Sequence, residues 1–265
     1  MPAATVTLRP TIDRPWLEAA ARSDPVAHAY ALWDLDRFPT QVQFVSAVRG
    51  EVTVGYLLVW LGRPATPIVH WFGPEAVAPA LAEGLPPRPL IAVVPVEIAP
   101  LVERARGPTR TCALISLVAR PGDGPSEPAG PSRARRLTRN DRVNLVALTS
   151  GESGLVPSEY PQLDPAHEAI WGVFEGERLR GVAQAVVRLP TVWVLGGVYV
   201  DPAARGRGFG GELVRAVVGA AEQVGAPVAL YVREDRSDAR AMYARAGFRP
   251  YGRRVWVDAG ASLEP

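Results

Sequence analysis

Val198-Tyr199-Val200-Asp201-Pro202-Ala203-Ala204-Arg205-Gly206-Arg207-Gly208-Phe209-Gly210-Gly211 is the stretch on which the reading of this chain turns. Residues 198–200 favour a strand and Asp201-Pro202 a turn. The glycines then open onto Leu213, Val214, Val217, Val218, Ala221 and Val224, which recur at three- and four-residue spacings. That spacing predicts an amphipathic helix whose amino end points back at the glycines. The first N–H groups of a helix lack intrahelical partners and carry the positive end of its dipole, so such an end holds a phosphate without a dedicated lysine. Glycines serving only as a turn would each cost about 0.5–1 kcal/mol without return.

Thirty-two residues beyond Gly211 stands Tyr243, inside the run Ser237-Asp238-Ala239-Arg240-Ala241-Met242-Tyr243-Ala244-Arg245-Ala246-Gly247-Phe248, which reads as a helix, a glycine cap and a new strand. Arg205-x-x-Gly208-x-Gly210 followed by Ala239-x-x-x-Tyr243-x-x-x-Gly247-Phe248 resembles, in order and separation, the paired signatures of the GNAT superfamily of N-acetyltransferases, over about residues 133–258. The resemblance implies transfer of an acyl group from the thioester of acetyl-CoA to an amine by direct attack, with no covalent enzyme intermediate. It implies that the backbone of Val198, Tyr199 and Val200 pairs with the pantetheine amides, and that a backbone N–H of this strand stabilises the oxyanion. Arg205, Gly206, Arg207, Gly208, Phe209, Gly210 and Gly211 are then the pyrophosphate cradle. Tyr243 stands where the family often places a general acid, its ordinary pKa of about 10 keeping it protonated at neutral pH; packing beneath the sheet is the other reading. Arg236 replaces a frequent asparagine and is read as a contact to a cofactor phosphate or as solvated.

No strand glutamate is found where many relatives carry a base, because Thr191–Val198 holds no ionisable side chain. Glu159, His167 and Glu168 are the nearby alternatives, with water-mediated deprotonation preferred over any of them. Tyr160 and Trp171 are read as acceptor-pocket walls or as core.

Gly206-x-Gly208-x-x-Gly211 also satisfies a dinucleotide-binding fingerprint, with Glu234 near the place of a ribose-binding acid. That fingerprint is expected to abut its strand at the start of a domain. Here Asp201–Arg205 intervene and 54 residues follow Gly211, fewer than the remaining strands of such a fold need.

The chain has 265 residues, 48% of them hydrophobic, enough for one large or two medium domains. The formal net charge of +2 implies neither nucleic acid nor an anionic membrane as partner. No segment reads as membrane-spanning and no leader is apparent, which predicts a cytoplasmic protein. Cys112 is the single cysteine, so no internal disulfide or cysteine-rich metal site is expected, and within 111–118 it reads as a structural residue of a buried strand. All 29 Lys+Arg residues are arginine, which matches the abundance of Ala, Gly and Pro as a compositional bias.

Residues 120–132 hold four prolines and three glycines and read as a linker. Before them, strands are predicted at 41–48, 52–60 and 67–72, a helix at 74–82, a strand at 89–94, a helix at 96–104 and a strand at 111–118. After them the same order recurs: strands at 168–174, 179–187 and 192–200, the helix after Gly208, a strand at 228–232, the helix before Gly247 and a strand at 248–257. The expectation is therefore an α/β chain with mixed sheets: a degenerate GNAT-like domain at 1–119, the linker at 120–132 and a catalytic GNAT domain at 133–265. The first half has Gly73-Pro74-Glu75 in place of a cradle and is not expected to bind cofactor; some relatives of glycine N-acyltransferases share this arrangement. The expected activity is an acyl-CoA-dependent N-acyltransferase acting on groups other than amino-acyl groups. Its cosubstrate is acetyl-CoA, its acceptor a small-molecule or protein primary amine, and it needs no metal. A catalytically silent acyl-CoA-binding module stays as the alternative. The oligomeric state, including a homodimer, is left open.

Overall fold

The structure is a computed structural model that describes residues 5–62, 66–87, 89–107, 109–124, 132–149 and 164–260. By contacts in space the chain forms two compact units, Met1–Ile115 with Arg233–Asp235 and Gly252–Pro265, and Ser116–Val232 with Arg236–Tyr251. The boundaries read from the sequence follow chain order instead. No helix among the described residues is long and apolar enough to cross a membrane.

The first unit opens with β1 (Val6–Arg9), α1 (Arg14–Ser23) and α2 (Ala29–Arg37), followed by β2 (Val42–Arg49), β3 (Val52–Trp60) and β4 (Ile68–Phe72). Then come α3 (Ala78–Glu83), β5 (Leu90–Val94), α4 (Ala99–Arg106) and β6 (Arg110–Ala119). β1 to β4 pair antiparallel in sequence order, and β5 adds parallel to β4. Side chains alternate between the faces of a strand. One face of this sheet therefore presents Leu57, Val69, Trp71, Leu90 and Val94 to Val77, Leu81 and Val102 of the α3–α4 layer. The other presents Phe44, Tyr56 and Leu58 to Leu17 and Ala31 of α1 and α2. Neither α1 nor α2 is predicted from the pattern, although Asp13, whose carboxylate accepts from Trp16 N at 3.3 Å, and Pro15 are a recognisable helix start.

The second unit contains β7 (Ala134–Arg136), α5 (Arg142–Thr149), β8 (Ile170–Glu175), β9 (Arg178–Leu189) and β10 (Val192–Val200), then α6 (Phe209–Glu222), β11 (Val228–Arg233), α7 (Ser237–Arg245) and β12 (Arg249–Ala259). β7 to β10 pair antiparallel, and β11 is parallel to β10. α5 packs Leu145 against Leu137, Ile170, Leu179, Val182 and Tyr199. α6 buries Phe209, Leu213, Val214, Val217, Val218 and Ala221 as the spacing predicts, but Val224 lies beyond its end and is 59% exposed, because the helix stops at Glu222.

The predicted element order recurs in both halves, with most boundaries within two residues. Two strands change unit along their length. β6 starts in the first unit and enters the second at Ser116, neighbouring β11; β12 starts in the second and enters the first at Gly252, where Val255–Ala259 pair antiparallel with Leu90–Val94. Burial of β6 begins only at Leu114, so Cys112 is half-exposed rather than buried as read from the sequence.

The predicted linker is described only at its ends. Its first residues are anchored: Asp123 N–H bonds Arg120 O at 2.9 Å, and Gly122 N–H donates to Glu222 of α6 at 3.2 Å. Residues 125–131 lie outside the described residues.

Candidate active site

β10 leaves its neighbours where the site begins. Its rungs to β11 are Trp193↔Val228 and Val194↔Ala229 and go no further, although β10 runs on to Val200 and β11 to Arg233. On its other side the register to β9 shifts twice, between Val194 and Leu195 and again between Gly196 and Tyr199, where one extra β10 residue is inserted. Gly197 there has φ +55°, the left-handed geometry of a glycine bulge, which bends the strand. A strand with one free edge thus leads into the glycine loop. Val198 and Val200 are half-buried, while the Tyr199 side chain belongs to the α5 core, so only its backbone faces a partner along the strand edge.

After Val200 the chain makes a single 3-10 turn, Pro202–Ala204, capped by Asp201, whose carboxylate accepts from Ala203 N at 3.0 Å. Arg205 Nε donates back to Val200 O at 3.3 Å. Gly206 (φ +76°) and Gly208 (φ +85°) are both left-handed, and a Cβ on either would meet nothing within 4 Å, so these glycines serve backbone conformation and face open space. Gly208 caps α6, whose Phe209, Gly210 and Gly211 N–H groups have no carbonyl within the helix; Glu212 N–H is the first to find one, at Gly208 O, 3.1 Å away. Gly210 differs, because a Cβ there would lie 2.8 Å from Met242 Sδ. Its role is to let α7 approach α6.

Ionic contacts surround this loop. Arg207 pairs with Glu175, which also accepts from Arg180 at 2.8 Å; Arg180 reaches Asp201 at 3.0 Å, and Arg178 stands 3.8 Å from Asp201. Arg133 Nε donates to Glu212 at 3.1 Å, its guanidinium 4.4 Å from the centre of the Phe209 ring. Arg207 and then Arg180 hold the Glu175 carboxyl below its usual range, and Arg133 does the same for Glu212. With Arg205 exposed beside them, five arginines surround three carboxylates, leaving the loop positive. Arg236, at the start of α7, pairs with Asp238 at 3.1 Å.

Tyr243 sits on the buried side of α7, 8% exposed, its ring edge-on to Phe248 at 5.7 Å. Burial pushes its phenol up to about 12. It is therefore a donor across the physiological range and a weaker acid than free tyrosine.

On the face that carries α5, Gln184 of β9 stands between Ile170 and Gly196 and donates to Glu168 Oε2 at 3.2 Å. His167 is exposed, with Nε2 3.9 Å from Asp164. Trp171 is buried, its ring 6.2 Å from that of Trp193. Glu159 and Tyr160 lie outside the described residues. The strand, the glycine loop and the helix carrying Tyr243 form where the sequence places them, and Glu168 lies just before β8; the Glu175–Arg180–Asp201 network and Gln184 were not read from the sequence, since nothing local marks them. Glu234, the acid of the dinucleotide reading, pairs with Arg253.

The corresponding place in the first unit is filled. Its parallel rungs end at His70↔Val93, and there the His28 ring lies 4.0 Å from Phe72, Tyr30 stacks on His70 at 4.6 Å, and His28 Nδ1 is 2.8 Å from Tyr56 Oη. Gly73 (φ +146°) is packed on Gly55 Cα and Val77, each about 3.1–3.2 Å from where its Cβ would be.

A strand with a free edge running into an open, positively charged glycine loop at a helix start, with a tyrosine helix packed beside it, agrees with a comparison against protein-family models: residues 143–248 match the acetyltransferase (GNAT) family. Residues 143–248 form a GNAT acetyltransferase domain. Solved structures share the fold over nearly the whole chain. A Drosophila protein is 16% identical, with TM-score 0.71 and coverage of 95% of this chain and 97% of its own. A GCN5-related N-acetyltransferase from Sphaerobacter thermophilus is 16% identical at TM-score 0.67, covering 98% of each chain. A tandem GNAT protein from the clavulanic acid biosynthesis pathway is 16% identical at TM-score 0.56, covering 97% of this chain and 100% of its own. No curated protein matches the sequence. The GNAT fold accounts for the recurrence of three antiparallel strands and a parallel fourth in the two units.

Proposed function

We propose that the GNAT domain transfers an acetyl or other short acyl group from acyl-CoA to a primary amine by direct attack. The observation that supports this most is the coincidence on β10 of an edge freed after Val194 and a glycine loop whose N–H groups point out of the start of α6. The residues suit acyl-CoA in kind: backbone donors at 209–211 that have no partner within the helix, open space above Gly206 and Gly208, and surplus arginine charge for phosphates. When bound, the thioester supplies an activated carbonyl carbon and a thiolate leaving group. Val198–Val200 offer the extended backbone along which a pantetheine chain pairs, Arg205–Gly211 hold the pyrophosphate, and Arg236 shifts from Asp238 to a phosphate. A β10 N–H beyond Val194 donates to the carbonyl oxygen as charge develops there. Tyr243 Oη, with its proton held by burial, donates toward the sulfur.

The absence of a carboxylate or histidine on β10 favours one competing reading, a domain that binds acyl-CoA without turning it over. Calorimetric titration with acetyl-CoA, coenzyme A and NAD(H), on wild type and Gly208→Glu, separates the possibilities. Micromolar binding of acetyl-CoA, lost in the variant and accompanied by turnover across a panel of primary amines, is the expected result. Binding without turnover supports the silent module, and binding of NAD(H) or of nothing overturns the proposal. With turnover in hand, Tyr243→Phe is expected to lower kcat at least tenfold with KM little changed; an unchanged kcat removes the acid role from Tyr243.

A further inference from the structure

β10 carries no carboxylate or histidine, and its one ionisable side chain, the Tyr199 phenol, is packed in the α5 core, yet an ammonium must lose a proton before its nitrogen can attack a carbonyl carbon. On the α5 face of the sheet the cross-strand row is Ile170–Gln184–Gly196, and Gly196 lies two residues past Val194, the last β10 residue paired to β11. Cross-strand partners project to the same side. Gln184, half-buried, therefore stands beside the place where β10 becomes free, and it aims its amide at a carboxylate, with Nε2 3.2 Å from Glu168 Oε2. Glu168 is held at the entry to β8, where its carbonyl accepts from Ile170 N at 3.2 Å and Ala169 O accepts from Ala185 N at 2.9 Å. Gln184 occupies one oxygen through one hydrogen bond. A carboxylate has about four acceptor positions, so among the described residues most of its capacity is left. Of its near neighbours in sequence, His167 is turned to Asp164, which also faces Arg142 at 4.0 Å.

On the reading of this domain as an amine acyltransferase, we infer that Glu168 is the group that binds the acceptor's ammonium and takes its proton, with Gln184 as its positioning residue. The ammonium gives one proton to Glu168, which passes it to solvent. The freed nitrogen pair bonds to the acyl carbon, the carbon–sulfur bond breaks with its electrons on sulfur, and a second N–H proton ends on the thiolate. The acceptor class this selects is a cationic alkylamine without a carboxylate beside the nitrogen, since a second anion next to Glu168 would repel it.

Phenethylamine and 4-ethylaniline test this, because they are isomers of which only the first is protonated at neutral pH. Glu168→Gln is expected to lower kcat/KM for phenethylamine about 10²-fold or more, the usual scale of general-base loss, and to change 4-ethylaniline less than about threefold. Calorimetric affinity for acetyl-CoA should be unchanged in the variant, while that for phenethylammonium in the presence of coenzyme A falls at least tenfold. Gln184→Leu should show the same split between the amines and add nothing in the Glu168→Gln background, whereas a merely structural role would weaken both amines alike. An equal loss for the two amines, or none, overturns the inference while leaving the acyltransferase reading intact. Absence of turnover by wild type with every amine overturns both.

Discussion

Gly225 and Gly247 end two helices with one and the same cap, and the difference between them isolates a single contact. Each lies in the left-handed region, at φ +70° and +92°. In each cap the following N–H returns to a carbonyl five residues back, Ala226 to Ala221 at 3.0 Å and Phe248 to Tyr243 at 3.1 Å. Surroundings separate them. A Cβ on Gly225 would meet nothing within 4 Å, whereas one on Gly247 would lie 2.5 Å from Asp123 O and 2.7 Å from its carbonyl carbon. Alanine at 225 should therefore cost only left-handed strain, about 1–2 kcal/mol. Alanine at 247 carries the same strain and must also push the 120–123 turn away from α7. That endangers the Asp123 N–Arg120 O, Arg120 N–Asp123 Oδ2 and Gly122 N–Glu222 bonds, each worth about 0.5–1.5 kcal/mol net. A further ~1–3 kcal/mol is expected, which at a urea m-value of about 2 kcal/mol/M lowers the midpoint of Gly247→Ala below that of Gly225→Ala by about 0.5–1.5 M. Gly219→Ala, in the middle of α6 with nothing within 4 Å, should raise the midpoint, because alanine is the better helix former by ~0.5–1 kcal/mol. All three glycines belong to the second unit, so the comparison reads one transition by far-UV circular dichroism. Equal costs at 225 and 247 would refute the contact argument, and a lowered midpoint in Gly219→Ala would refute the conformational one.

Glu175→Gln frees Arg207 and Arg180 from their shared carboxylate and should tighten acetyl-CoA binding two- to fivefold at low salt, the gain vanishing by about 0.5 M salt in calorimetry. Tyr56→Phe removes the hydroxyl facing His28 Nδ1 and should destabilise the first unit by about 1–3 kcal/mol in denaturant titration, with acetyl-CoA affinity unaltered. Burial lowers His28 and His70 to about 4 and raises Asp34 to about 7. Between pH 6.5 and 4 the unfolded histidines bind protons that the folded ones refuse, so stability falls on acidification, by up to roughly 3 kcal/mol for His28. Asp34 acts oppositely, protonating in the folded state first as pH falls through 7. Asp34→Asn should therefore steepen the loss seen in thermal melts between pH 7 and 4.

What the sequence made legible was local. Glycine series, helix spacing and strand alternation are short-range signals, and they located β10, the loop, α6, α7 and Tyr243. The features it hid are those in which distant residues share a contact. Asp123 abuts Gly247, and Glu175 joins Arg207 and Arg180 although it closes β8 in a turn no different from other surface hairpins. α2 was missed for another reason: its Ala-Tyr-Ala-Leu-Trp-Asp run buries Ala29, Ala31 and Asp34, a face that is neither uniformly apolar nor uniformly spaced. The Asp34 carboxyl is among the buried groups of that face, which nothing in the run marks.

The repeated pattern also hides where each half closes. Read along the chain, residues 133–265 carry three strands, a parallel fourth and a closing strand. In space, however, the strand neighbouring β11 in the second unit is the 116–119 end of β6, while 252–259 of β12 belong to the first unit. A fragment of 133–265 would therefore lack the β6 segment beside β11 and would carry a β12 end whose five rungs to β5 have no partner. Exposed strand edges with apolar side chains such as Val228, Leu230, Val255 and Val257 pair with other copies, so this fragment is expected to aggregate on expression, whereas the full chain is expected to be soluble. Adding residues 110–132 restores the β6 edge but leaves the β12 end bare, and should improve recovery without giving one cooperative transition. A soluble 133–265 fragment with a single cooperative unfolding transition and undiminished acetyl-CoA affinity would show that the strand exchange is dispensable, and would return the second half to an independent domain.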